Sequence, residues 1–351
     1  MRRLLASLLV PMATFAVSAF AVSAFAVSAF AVWASPAHAA PITAIYAFGD
    51  SLSDVGNVFA ATGLPAPPYY QGRFSNGPNW LDDIAAEEGV APLRPSLAGG
   101  TDYAFGGARS GANTVVPLSG SAATVPTLDA QVALFATAHP SGIPAGALTT
   151  VWGGANDIIA TVSAYAANPM TNVGAAIAQA ATNEASAVRA LYGLGATDLL
   201  VVGNPDLGVT PALTSQGAAA AMLASTLTQL YSTDLQADIA GDGVPVRFLD
   251  LYSLIDNAVA DPAAFGLSNA SSPCYVPATP GAYGGPGTVC GATMAAQDQY
   301  LFWDQLHPTA AGYALVADAV LPEPPSLLLL AVGAGGVVFT ARRRAAARLH
   351  A

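Results

Sequence analysis

The 351-residue sequence contains no lysine; its eleven basic residues, all arginine, stand against 22 acids, for a formal net charge of −11. Six of those arginines lie near the two ends, at Arg2, Arg3, Arg342, Arg343, Arg344 and Arg348. The region between them carries only Arg73, Arg94, Arg109, Arg189 and Arg247. So few cations exclude nucleic acid as a partner, because phosphate binding needs the opposite sign. High alanine with no lysine reflects genome composition rather than mechanism. Histidine and cysteine are also scarce, with four and two residues. Outside the terminal stretches, His139, His307, Cys274 and Cys290 lack the spacing of a metal site. No metal or other cofactor is therefore expected.

Long apolar runs are confined to the two ends. Arg2 and Arg3 precede a stretch that reaches about Trp33, and Ser35-Pro36-Ala37-His38-Ala39 follows as a small-residue cleavage pattern. This reads as a secretory signal peptide over residues 1–39, cut after Ala39, with an uncleaved anchor as the alternative. The stretch holds three copies of Ala-Val-Ser-Ala-Phe between Ala16 and Phe30. Their period of five fits neither a helix face nor a repeat fold, so they are read as an expanded hydrophobic tract. At the other end, Pro322-Glu323-Pro324 precedes an apolar run from Leu327 to Ala341 and then Arg342-Arg343-Arg344. As a helix this run would reach about 22 Å, short of the roughly 30 Å hydrocarbon core. The order of motif, apolar segment and arginines resembles the PEP-CTERM sorting tail of Gram-negative bacteria. The resemblance implies an exosortase-type processing partner, transient membrane contact through the terminal segments, and delivery to the cell surface or exterior. A simple C-terminal anchor, with the arginines on the cytoplasmic side, is the alternative.

Between these ends, residues 40–321 suffice for one domain with its own core. Its two cysteines, Cys274 and Cys290, are expected to form a disulfide in an exported chain. The closed loop suggests about 3 kcal/mol in the chain-entropy model. The bridge either steadies the segment that follows it or is a surface staple. Short apolar runs rich in branched residues suggest parallel strands near 43–48, 102–105, 148–153, 198–203 and 245–250. Helical stretches are expected at 78–89, 127–138, 172–193, 212–239 and from Thr309 to about 320. Such alternation argues a doubly wound α/β sheet, whose site forms outside the carboxyl ends of the strands.

One of those strand ends carries Gly49-Asp50-Ser51-Leu52-Ser53-Asp54-Val55-Gly56, followed by Asn57. A serine hydroxyl there needs a general base and donors for a developing oxyanion. His38 and His350 lie in the terminal segments, leaving His139 and His307. Only His307 has a carboxylate nearby, Asp304, three residues earlier, a spacing that puts both on one face of a helix-like turn. Pro308 then biases His307 out of helical geometry. His139, followed by Pro140, is read as a surface residue at a helix end. Ser53 is the lesser nucleophile candidate because it lies further from the strand. Asp50 points away from its neighbour and is expected to brace the turn or cap a helix, while Asp54 and Asn57 are read as local hydrogen-bonding residues.

Four blocks in order across residues 44–320 make the chain resemble the GDSL esterase/lipases of the SGNH hydrolase superfamily. They are Phe48-Gly49-Asp50-Ser51-Leu52-Ser53-Asp54, Asp102-Tyr103-Ala104-Phe105-Gly106-Gly107-Ala108, Gly154-Ala155-Asn156-Asp157, and Asp304-Gln305-Leu306-His307-Pro308. The resemblance implies a three-layer α/β/α sandwich of flavodoxin type around a five-stranded parallel sheet. It also implies a Ser51–Asp304–His307 triad and an oxyanion hole made of the Ser51 N–H, the Gly107 N–H and the Asn156 side-chain amide. The implied activity is hydrolysis of carboxylic esters through an acyl-enzyme, with a small-molecule or lipid ester, or an acylated polysaccharide, as substrate. An O-acetyl esterase or an acyltransferase would use the same residues, and a non-catalytic matrix protein would not need them together. Asp102 stands where the family frequently has asparagine. The segment from Tyr69 to Pro78 also resembles a family stretch, either lining a pocket or packing under the first helix.

Overall fold

The run expected to be the first strand forms β1 (Ala44–Gly49), and it pairs in parallel with β2 (Ala147–Trp152). β3 (Asp198–Val202) and β4 (Arg247–Leu249) continue the sheet in parallel, in the spatial order β1-β2-β3-β4. These positions come from a computed structural model, which describes residues 41–111, 116–117 and 124–321. The expected signal peptide over 1–39 and the sorting tail over 322–351 lie outside the described residues.

Alternation along each strand separates two cores, because successive side chains point to opposite faces. Tyr46, Phe48, Val151, Leu199 and Val201 face α3 (Leu128–Ala138), α4 (Ala155–Ala167), α5 (Val173–Gly193) and α6 (Ala218–Asp242). Ile45, Ala47, Leu148, Trp152, Leu200 and Val202 face the other way, onto α2 (Trp80–Glu87), the start of α7 (Leu251–Ala260) and α8 (Ala310–Val320). A short α1 (Asn57–Thr62) follows the nucleophile turn. The result is the expected three-layer α/β/α arrangement.

The sheet has four strands rather than the five expected. Residues 101–105 run beside the free edge of β1, with Tyr103 N–H donating to Ala47 O at 2.7 Å and Phe105 N–H to Gly49 O at 3.1 Å. The segment makes only isolated bridges there, at Asp102 to Ala47 and to Pro95. Its backbone is shared with another loop, since Asp102 N–H donates to Arg94 O and Ser96 N–H to Asp102 O. Helices α4 and α7 were not among the expected elements. The β-branched Ile158, Ile159, Thr161 and Val162 obscure α4, because such residues favour strands. The stretch expected as one helix over 212–239 is a short turn at Pro211–Thr214 followed by α6, interrupted at Gly217, whose φ of 101° no α-helix admits.

The chain then forms β5 (Asn269–Pro273), β6 (Tyr275–Pro277), β7 (Gly287–Val289) and β8 (Tyr300–Phe302). β6 and β7 pair antiparallel, and the Cys274–Cys290 disulfide closes the base of this hairpin. Cys274 N–H donates to Phe302 O and Tyr275 N–H to Trp303 O. The bridged hairpin is therefore fastened to the residues that lead into Asp304. Among the described residues, no helix is long and apolar enough to cross a membrane.

Candidate active site

β1 ends at Gly49, with φ 148°; a Cβ there would fall 2.1 Å from Trp152 O, so only glycine lets the two strands pair to their ends. The buried Gln131 of α3 holds the same residue, accepting from Gly49 N–H and donating to Gly49 O. The chain then turns. Asp50 O accepts from Ser53 N–H and Asp54 N–H, and Asp50 Oδ1 from Leu52 N–H, which fixes Ser51 at the turn. Asp50 therefore braces the turn, and burial pushes its carboxyl up to about 7.

Ser51 Oγ lies 2.8 Å from His307 Nε2, and His307 Nδ1 lies 2.8 Å from Asp304 Oδ2, all three side chains being buried. With Nδ1–H donating to Asp304, Nε2 is free to accept from the serine hydroxyl. The Asp304–His307 spacing works by a turn rather than a helix. Asp304 Oδ1 accepts from the Leu306 and His307 N–H groups, each at 2.8 Å, which folds the imidazole back over the acid. Burial favours the neutral acid, but His307 and the surrounding donors outweigh it and hold Asp304 below the usual carboxylate range.

The Tyr69–Pro78 segment clasps this loop. Tyr69 Oη donates to Asp304 Oδ2 at 2.6 Å, the Phe74 ring lies 5.0 Å from the His307 ring, Ser75 Oγ donates to Pro308 O, and Asn76 Oδ1 accepts from Ala310 N–H. Arg73 has a packing role: its guanidinium makes a two-pronged contact with Asp82 in the capping box of α2. Tyr69 is the residue that sequence reasoning missed. Its partner is 235 positions away, and the only signal was an aromatic in a segment left open between pocket and packing.

The other expected donors are Gly107 and Asn156. Gly107, with φ 81°, precedes Ala108, whose carbonyl accepts from Asn156, and among the described residues no protein acceptor takes the N–H of Gly107 or of Ser51. Asp54 ties the two turns together, accepting from Gly56, Asn57, Val58 and Gly106 N–H groups; burial raises it to about 6. Asn57 donates to Asp102 O and Ala104 O, so its partners are distant in sequence. Asp102 accepts Val55 N–H at one carboxylate oxygen and Ala104 N–H at the other, an arrangement that the single carboxamide oxygen of an asparagine does not reproduce. Asn156, in the first turn of α4, donates to Ala108 O at 2.9 Å and to Asp50 Oδ2 at 3.3 Å. His139 lies apart, half-buried and stacked on Phe135 at the end of α3, and Ser53 is fully buried. Among the described residues, no group of three or more His, Cys, Asp or Glu side chains is arranged to hold a metal ion.

The profile of the GDSL-like lipase/acylhydrolase family matches residues 45–320. The phosphatidylcholine-sterol acyltransferase of Aeromonas hydrophila is 28% identical over 81% of this chain and 89% of that protein. The thermolabile hemolysin of Vibrio parahaemolyticus is 27% identical over 82% of this chain and 65% of its own length. A GDSL esterase/lipase of Arabidopsis thaliana is 27% identical over 81% of this chain and 90% of that protein.

Proposed function

Because the chain belongs to the GDSL-like lipase/acylhydrolase family, a family of carboxylic ester hydrolases, we propose that it cleaves esters with Ser51 as nucleophile, His307 as base and acid, and Asp304 orienting the imidazole. The observation that carries this reading is the continuous hydrogen-bonded path from Ser51 Oγ through both ring nitrogens of His307 to Asp304. As Ser51 attacks the ester carbonyl, Nε2 takes its proton, and Asp304 supports the imidazolium. The Ser51 and Gly107 N–H groups stabilise the oxyanion. Asn156 joins them by exchanging its longer bond, to Asp50, for the oxyanion. His307 then protonates the leaving alcohol, and a water activated by the same imidazole releases the acid from the acyl-enzyme.

The similarity to a protein named as an acyltransferase supports a second reading, in which an alcohol replaces that water. Product analysis with and without added alcohol separates the two. We further propose export, on the N-terminal signal pattern and on a disulfide that requires an oxidising compartment. The PEP-CTERM-like tail supports processing by an exosortase-type system. The intact mass of the secreted protein tests both cleavages.

Hydrolysis of a chromogenic ester is expected to fall about a thousandfold or more in Ser51→Ala and in His307→Ala. Equal rates for wild type and Ser51→Ala would overturn the ester-hydrolase reading.

A further inference from the structure

In an ester hydrolase built on this triad, His307 takes up a proton where water scarcely reaches it. Its side chain is only 2% exposed, and Asp304 meets it at one ring edge, through Nδ1. Taking the faces of a charged ring out of water without a partner is costly. One face is turned to Phe74: the ring centroids lie 5.0 Å apart with the planes 32° from parallel, an offset stack rather than an edge contact. A cation within about 6 Å of a phenyl centroid, over its face, is attracted by the negative side of the ring quadrupole. Phe74 has little freedom to sit elsewhere. It is buried, and a Cβ on Gly106 would fall 2.4 Å from its Cζ, so the ring fills the space beside the turn that carries Gly107. Val58, Phe105, Ala108 and Val125 share its core, and Tyr283, between the strands of the disulfide-closed hairpin, meets it at 86°. Ser75 Oγ donates to Pro308 O, which ties the residue after Phe74 to the residue after His307.

We propose that Phe74 is a positioning residue for the general base, its ring face stabilising the imidazolium that His307 becomes in the transition state. The inference rests on the ester-hydrolase reading above and adds a residue to that same site. As Ser51 Oγ bonds to the carbonyl carbon, its proton passes to Nε2 and the carbonyl π pair moves onto the oxygen. The cation so formed is held by Asp304 at its edge and by Phe74 over its face. When the intermediate collapses, the proton leaves with the alcohol and the attraction goes with it. Before attack the ring is the neutral base, so the interaction is made chiefly in the transition state. Its loss therefore belongs in kcat rather than in KM.

The test replaces Phe74, in the whole protein, with fluorinated phenylalanines. Fluorine is close to hydrogen in size and draws charge from the ring face, so it weakens the attraction while keeping the shape. In hydrolysis of a p-nitrophenyl ester, kcat is expected to fall about threefold with 2,6-difluoro- or 3,5-difluorophenylalanine and about tenfold with the 3,4,5-trifluoro ring, with KM within about twofold. The 2,6-difluoro ring leaves the rim at Gly106 unchanged, so equal falls from the two difluoro rings separate charge from packing. The trifluoro ring placed instead at Phe135, which packs in a separate core, should change kcat by less than about twofold. A flat series, a fall confined to rings with fluorine on the rim, a change in KM alone, or an equal fall from Phe135 would overturn the proposal while leaving ester hydrolysis intact. Should the trifluoro ring not fold, the difluoro pair decides. If wild type cleaves no ester faster than Ser51→Ala, it is the hydrolase reading that fails. The same rings are then compared in the rate at which a fluorophosphonate labels Ser51, a reaction that also passes the serine proton to His307 and releases fluoride. Labelling slowed in the same steps would uphold the contact with the imidazolium; unchanged labelling, or none in wild type, would overturn it.

Discussion

At the residue scale, Asp304 shows how a buried carboxyl is kept ionised. Burial opposes its charge, and two backbone N–H groups, an imidazole and the Tyr69 hydroxyl restore it. Tyr69 touches no reacting atom in the proposed mechanism, so it is a positioning residue acting through the acid. Removing its donor favours the neutral form of Asp304 and raises that pKa toward the ordinary carboxylate value. In Tyr69→Phe the acid-side fall in kcat/KM should therefore move to higher pH, with kcat lowered about tenfold and KM little changed, since a hydrogen bond to a charged group is worth about 1.5–3 kcal/mol. A pH–rate profile checks this; an unmoved acid limb would assign Tyr69 to packing alone.

At the element scale, the longest helices are joined by a buried polar contact. Tyr231 of α6 donates to Glu184 of α5, both almost fully buried. Their placement under the site follows from Gly153 and Gly154, where β2 passes into α4. A Cβ on Gly153 would sit 3.3 Å from Glu184 Oε2 and one on Gly154 would strike the Tyr231 ring. Tyr231→Phe leaves a buried carboxyl without its donor and should lower stability by about 1–3 kcal/mol. Urea unfolding measures it, and Glu184→Gln, which can still accept from the tyrosine, should lose less. The helix α5 was legible because alanine-rich sequence with Asn172 at its N-cap needs no tertiary help, and Asn172 Oδ1 does accept from Ala175 N–H. The helix α4 was not, because packing against α5 and α6 overrides its β-branched residues.

At the scale of the whole molecule, acids without cations to pair them dominate the pH response. Burial raises Asp50 to about 7, Asp54 to about 6 and Glu184 to about 7, where unfolded carboxyls titrate near 4. The folded state thus holds protons more tightly, so the stability they contribute is present below about pH 4 and is lost as pH rises toward 7. Asp304, shifted the other way, contributes stability above its unfolded value that is lost only at lower pH, on acidification. The unfolding temperature is expected to be higher at pH 5 than at pH 8 at constant ionic strength. A higher value at pH 8 in thermal scans would contradict the protonated state assigned to these buried acids.

The sequence by itself marked most of the strands and helices through apolar periodicity, and the resemblance of its four blocks to a known family pointed to the three-layer class and to Ser51, Gly107, Asn156, Asp304 and His307, because local blocks need no distant partner to be read. It also marked the cysteine pair, by elimination among only two. The tertiary structure decided what depends on contacts between distant segments. Residues 101–105 flank the sheet as an edge segment because their backbone is shared with the 94–96 loop. Tyr69 reaches Asp304, and the bridged hairpin fastens to Phe302 and Trp303. The apolar cleft beside Ser51 is assembled from β2, α7, β8 and α8, elements up to 164 positions apart between Trp152 and Val316. No local pattern encodes a space enclosed by four separate elements.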